Sequence, residues 1–426
     1  MDERTFAQMA APSAISPFNK GMGFLHQALK PEAIAALGWN LLKEDLSLPS
    51  AVLYRDKLLH NLEWMQRFIE AYGVHLAPHG KTTMAPRLFQ MQLGRGAWGI
   101  TLATPHQTQV AYQHGVRRVL MANQLVGKEN MAIIARLLMD PTFTYFCLVD
   151  SPAQIDQLGA FYSERRLKLQ VLLELGVTGG RSGVRDDQQI HSVLSALSRW
   201  DDCLALCGVE LYEGVLDHES SIRAFLERAV TITHTMLTEK RFQREPVLLS
   251  GAGSAWYDVV AEAFSAAGFG DSVEIVLRPG CYLTHDVGSY REAQTKIQQR
   301  NPIANHMGSG LLPALQVWAY VQSLPEQDRA IIAMGKRDAA FDAGLPVPAL
   351  HFRPREDTPK SAAAHWSLTK IMDQHAYMEI AEHDDLSVGD LIAFDIAHPC
   401  LTFDKWRQLP ILDSEYQVVD IIETFF

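Results

Sequence analysis

No apolar run in the 426-residue chain approaches the ~20 residues that cross a bilayer, so nothing in it calls for a membrane partner. Basic residues are in the minority, 38 against 49 acidic, and the net charge of −11 weighs against nucleic acid or an anionic membrane surface as a partner. Cysteine is scarce, scattered and odd in number: Cys147, Cys203, Cys207, Cys281 and Cys400. That usage excludes a disulfide framework and leads us to expect free thiols in a reducing cytoplasm. The first residues, MDERTFAQMAAPS, begin acidic and lack an apolar core, so no signal peptide is expected. Internal repeats and low-complexity tracts are absent as well.

What the chain does have is a globular share of apolar residues, 47%, enough for a substantial core. Eight apolar runs punctuate residues 74–279: VHLAP, WGITLA, RVLMA, TYFCLV, KLQVLLEL, LCGVELY, PVLLS and EIVLRP. Amphipathic segments ending at glycine separate them, as in TPHQTQVAYQHG. Near-continuous apolar strands alternating with helices imply a parallel sheet covered on both faces, and eight closes a (β/α)8 barrel. A ninth run, AVLYR at 51–55, is expected to connect with another domain. After Tyr290 strand-like segments with turn residues dominate and long helical periodicity is nearly absent. The expected division is a barrel over 49–295 and a smaller β domain over 296–426, joined by residues of about 20–48. HFRPREDTPKSAAAHW, 351–366, reads as a loop.

Barrel active sites lie at the C-terminal ends of the strands, and phosphate sites favour the loops after strands seven and eight. Lys81, in HLAPHGKTTMAP, follows the first strand at that end. The loops after the seventh and eighth strands, SGAGSAWYD and RPGCYLTHD, carry Gly251, Gly253 and Gly280, which let backbone N–H groups approach an anion. Glycine in one such loop says little, because tight turns use it too. A lysine facing two such loops points to a phosphorylated cofactor held covalently. Near the C-terminus LIAFDIAHPC reads as a strand, which would put His398 and Cys400 on one face with Pro399 pointing away. One imidazole with one thiolate is a soft, zinc-favouring pair. Other polar residues read blandly. His114 looks like a cation at a helix C-terminus, His106 like surface, and Cys203 and Cys207 like core.

PHGKT resembles the lysine motif, RPHxKTH, of the D-threonine aldolase and D-serine dehydratase family, fold-type III pyridoxal-phosphate enzymes related to alanine racemase. The likeness runs over roughly residues 48–426 through LPSAVLYRDKLLHNL, ELGVTGGRSGV, ELYEG, SGAGS, RPGCY, IMDQHAYM and AHPC. It implies an alanine-racemase-type barrel and pyridoxal 5'-phosphate bound through Lys81, which would also act as the base at Cα. It further implies Arg181 opposite the pyridine nitrogen. His79, Tyr212, Ser250, Gly251, Gly253, Gly280 and Tyr282 would surround the cofactor, and His398 and Cys400 would bind Zn2+. His375 matches the histidine of the family's EHG motif, a candidate for touching the substrate or for backing a residue that does. Ala77, Thr83 and Gln374 depart from the motifs, which have arginine, histidine and glutamate there. Cysteine at 400, where the aldolases generally carry aspartate, points to dehydration. The expected protein is a cytoplasmic, homodimeric lyase that converts a β-hydroxy D-amino acid, D-serine first, to a 2-oxo acid and ammonia. Retro-aldol cleavage is the rival, and a non-catalytic cofactor-binding protein is a weaker one.

Overall fold

All eight apolar runs become parallel strands in the computed structural model, which describes residues 14–23 and 25–426. The N-terminal run MDERTFAQMAAPS therefore falls outside the described residues. After β1 (Ser50–Tyr54) the barrel strands are β2 (His75–Leu76), β3 (Ile100–Leu102), β4 (Arg118–Gln124), β5 (Thr144–Val149), β6 (Leu169–Leu175), β7 (Leu204–Leu211), β8 (Val247–Gly251) and β9 (Val273–Leu277). Their order is β2-β9-β8-β7-β6-β5-β4-β3. A parallel bridge between His79 and Thr101 brings the two ends together, and the Thr101 N–H donates to the Pro78 carbonyl at 2.9 Å. The sheet is thus closed into a barrel.

Side-chain parity explains why the runs are apolar throughout. Val119 and Met121, Tyr145 and Cys147, and Val171 and Leu173 point outward into the core shared with the helices. Their neighbours Leu120, Phe146 and Leu172 point inward, where with Ala77, Trp98, Ala205, Cys207, Leu248 and Val276 they fill the barrel. Cys203 and Cys207 are buried, as expected of core residues. His114 caps the helix Pro105–Gln113, its Nδ1 2.9 Å from the Val110 carbonyl.

β1 belongs to the other sheet, of ten strands, where it lies between the antiparallel Leu315–Glu326 and the parallel Gln408–Leu412. The helix Arg55–Tyr72 follows it directly into the barrel, and after β9 the chain returns to the ten-stranded sheet at Leu315–Glu326. Buried Asn61 of that helix ties the joint. Its amide donates to the carbonyls of Leu283 (2.8 Å) and Leu312 (2.7 Å), and its oxygen accepts from the Leu312 N–H at 2.8 Å.

Three local expectations are corrected. Helix does continue after Tyr290, as Ser289–Arg300 and Pro302–His306; the first has so polar a face that its apolar stripe is short. Residues 351–366 are not loop throughout, since Val347–Phe352 pairs with Lys360–Ser361. The strand of LIAFDIAHPC ends at Asp395, and Pro399 opens the short helix Pro399–Phe403. Proline lacks the N–H that a ladder needs and is pre-set for the first helical position, so His398 becomes the residue before the helix and Cys400 lies inside it.

Candidate active site

At the C-terminal end of the barrel the inward layer changes from apolar to charged. One step past Leu172, Leu248 and Val276 stand Glu174, Ser250 and Arg278, with Glu210 beside them, all buried. Arg278 pairs with Glu210 and donates to the Leu211 carbonyl at 2.8 Å, while its Nε has no partner. Burial pushes the Glu210 carboxyl up to about 8, with Arg278 pulling the other way. Glu174 is also raised by burial; it accepts from the Ser182 hydroxyl at 2.7 Å and from Gln124.

Over this charged floor lies an open-sided cleft of about 130 Å³. Lys81 reaches it from the single turn Gly80–Thr82 that follows β2. Partial burial lowers the Lys81 pKa; the Cys400 sulfur opposes that, and Arg181 and Arg278 add to it. The result is a lysine more readily deprotonated than one in water. His79 is half-buried beside it, with its buried Nδ1 unpartnered, and desolvation holds it well below the usual histidine range. It is a neutral imidazole with a free ring nitrogen. Arg181 enters from the loop after β6, its guanidinium 5.2 Å from the Tyr212 ring centre.

The loops after β8 and β9 form the far wall. Glu213, buried, takes the N–H groups of Ala252 (3.1 Å) and Gly253 (2.7 Å) with its two carboxylate oxygens. Gly253 therefore supplies room rather than its N–H: a Cβ there would lie 2.9 Å from the Tyr212 ring. The Ser254 hydroxyl accepts from the Cys281 N–H at 3.1 Å and so links the two loops. Among the described residues the Ser254 and Gly280 N–H groups carry no hydrogen bond, and they remain for an anion. A Cβ at Gly280 would meet the His79 carbonyl at 2.7 Å.

The β domain closes the cleft with Cys400. His398, beside it, donates from Nδ1 to Asp342 at 2.8 Å. Hydrogen bonding to the Cys400 sulfur, aided by Asp342 and opposed by partial burial, raises this imidazole to about 9. No group of three or more His, Cys, Asp or Glu side chains stands at metal-binding spacing among the described residues. The pair would leave coordination positions open.

The cleft thus gathers His79, Lys81, Arg181, Tyr212, Gly253, Gly280 and Cys400 of the residues singled out from sequence. Ser250 and Gly251 lie below it in β8, with the Ser250 hydroxyl donating to the Val276 carbonyl at 2.9 Å. Tyr282 points into the core toward Gln92. His375 sits on the exposed Met372–His375 turn, away from the lining. Sequence reasoning missed Arg278, Glu210, Glu174, Ser254 and Tyr290. Arg278 and Glu174 carried a signal, a charged residue at the end of an apolar strand in phase with the inward positions. Glu210 did not, because an irregularity in the β6–β7 pairing puts it out of phase with Ala205 and Cys207. Trp256 packs under Arg300, and Tyr257 meets Phe68 edge-on in the core.

A closed eight-stranded barrel with a lysine after its first strand, joined to a β domain that completes the cleft, defines an alanine-racemase-type enzyme fold. Residues 53–281 match the family described as "Alanine racemase, N-terminal domain", and residues 314–412 match "Putative serine dehydratase domain". The chain belongs to the D-threonine aldolase and D-serine dehydratase family of fold-type III pyridoxal-phosphate enzymes. It is similar to a D-threonine aldolase of Arthrobacter sp, 24% identical over 305 residues, 70% of this chain and 74% of that protein. Over 186 residues it is 30% identical to D-threo-3-hydroxyaspartate dehydratase of Delftia sp. (strain HT23), covering 43% of this chain and 48% of that one. In fold it is similar to the solved D-threonine aldolase of Filomicrobium marinum, with a TM-score of 0.73 at 22% identity over 91% of this chain and 97% of the other.

The cleft fits the family's cofactor. Its lysine, its free Ser254 and Gly280 N–H groups, and the space that only glycine leaves at 253 and 280 suit an aldehyde bearing a phosphate. The imidazole and thiol suit a divalent metal, and the Asp342 contact leaves Nε2 of His398 for it.

Proposed function

We propose that the chain is a pyridoxal-phosphate- and zinc-dependent lyase that removes water and ammonia from a β-hydroxy D-amino acid, D-serine first. The observation that carries this reading is the entry of Lys81 and Cys400 into one cleft from different domains. When bound, pyridoxal phosphate supplies a carbonyl that condenses with amines and a ring that accepts the electron pair released at Cα. Lys81 holds it, and the same amine, its pKa lowered, takes the Cα proton. Ser254 and Gly280 orient the phosphate through backbone N–H groups. Arg181 and Arg278 make the cleft positive, which suits an anionic cofactor and a substrate carboxylate. Hydroxide is a poor leaving group; a metal held by His398 and Cys400 would supply Lewis-acid help at the β-oxygen.

Supporting the substrate class, D-threonine and D-threo-3-hydroxyaspartate, named for the relatives, both carry a β-hydroxyl. The aldolase reading keeps every residue and breaks Cα–Cβ instead, and the relative matched over more of the chain favours it. Cys400 favours dehydration through the family resemblance. A reducing cytoplasm agrees with the five free cysteines, and a homodimer follows from the resemblance. Product analysis after incubation of the holoenzyme with D-serine and D-threonine tests the proposal. We expect pyruvate and 2-oxobutyrate with equimolar ammonia; glycine with acetaldehyde from D-threonine would move the assignment to the aldolases.

A further inference from the structure

Asp342 lies in GKRDAAFD, a segment given no role in the reaction so far. Its carboxylate accepts from His398 Nδ1 at 2.8 Å, and this contact sits on a braced frame. The Ala340 N–H donates to the hydroxyl of fully buried Thr402 at 3.0 Å, and that hydroxyl donates to the His398 carbonyl at 3.3 Å. Asp338, in the same segment, accepts from the Gly335 N–H at 2.9 Å, and its carbonyl accepts from the Trp406 indole at 2.8 Å. The segment carrying Asp342 is therefore fastened to both ends of the short helix bearing Cys400. As an ion pair the contact is exposed, 29% for His398 and 42% for Asp342, and would add little to folding. Its geometry does something else. With Nδ1 engaged by Asp342, Nε2 is the nitrogen left to bind a metal, and the contact restrains the ring that stands two residues before Cys400. Among the described residues no third His, Cys, Asp or Glu completes a metal-binding group with this pair, so an error in one ring orientation is not corrected by others.

We propose that Asp342 is the positioning residue of the metal site: it fixes the tautomer and plane of His398 so that Nε2 and the Cys400 thiolate bind zinc together. This rests on the reading of His398 and Cys400 as metal ligands. A carboxylate behind a ligating imidazole also raises its basicity, and loss of such a partner typically weakens metal binding about 10–100-fold.

The test is zinc affinity of the purified holoenzyme, measured by competition with a chromophoric chelator, for the unaltered chain, Asp342→Asn, Asp342→Ala and His398→Ala. We expect Asp342→Ala to bind zinc about 10–100-fold more weakly. Asp342→Asn, whose amide oxygen still accepts from Nδ1 without the charge, should fall between. Melting temperature and the near-visible absorbance of the cofactor should stay unchanged in both. With cobalt in place of zinc, the thiolate-to-metal band should persist in Asp342→Ala while the ligand-field bands shift. Zinc affinity within twofold of the unaltered chain in both Asp342 variants would overturn the proposal and leave the metal site standing. An unaltered chain that binds no zinc, or a His398→Ala variant that binds it equally well, would overturn the metal reading and this inference with it. If Asp342→Ala melts early, Asp342→Asn carries the test alone, and parity with the unaltered chain overturns the role.

Discussion

Lys81 is flanked by Arg181 and Arg278, and partial burial already weakens its hold on a proton. Lys81→Ala should therefore lose the cofactor's near-visible absorbance and the adduct trapped by borohydride; a variant that keeps a stoichiometric trapped adduct would refute its assignment. Arg278 makes a different prediction. Replacing it with methionine leaves Glu210, already raised to about 8 by burial, as a buried carboxyl without its partner, which costs about 1–3 kcal/mol. Denaturant unfolding should show that loss, and Arg278→Met with Glu210→Leu should recover most of it. These two residues also show what was legible at this scale. Lys81 was found by a motif and by its place after the first strand. Arg278 stood in plain view in RPGCY, yet its role depends on strand phase: it faces inward only because Val276 does. A local composition rule reads arginine at a strand end as solvated.

The strands themselves were readable because each apolar run is buried on both faces, inward against the barrel filling and outward against helices. The loops were not, because their N–H groups are allocated by a residue from elsewhere. Glu213 occupies the Ala252 and Gly253 N–H groups, which a scan for glycine assigns to phosphate. Glu213→Gln presents an amide donor to one of those N–H groups, so the loop should open and cofactor affinity fall about tenfold, in line with ~1–2 kcal/mol for a buried donor left unmet. Titration of the apo-protein with pyridoxal phosphate, read by absorbance, checks this. Gly280→Ala should weaken the cofactor further, since its Cβ would meet the His79 carbonyl at 2.7 Å and backbone cannot swing aside. The AHPC segment was misread for a related reason. Its alternation looks like a strand, but Pro399 starts a helix, so His398 and Cys400 are placed by a helix start rather than along a strand face.

At the scale of the molecule, Lys81 and the His398–Cys400 pair come from the two different halves, and Asn61 of the helix Arg55–Tyr72 pins the joint between them. Neither sheet alone carries the whole cleft, which is why the composition of either half said so little about the reaction. The account holds that both halves act on one substrate, the barrel at Cα and the β domain at the β-oxygen. The most direct measurement is the rate of pyruvate release by the holoenzyme from D-serine and from β-chloro-D-alanine, each before and after chelation of metal. Chloride leaves without Lewis-acid help whereas hydroxide does not. The account predicts that chelation stops release from D-serine and largely spares release from β-chloro-D-alanine, with the cofactor's absorbance unchanged. Equal loss of both, or loss of neither, would contradict it.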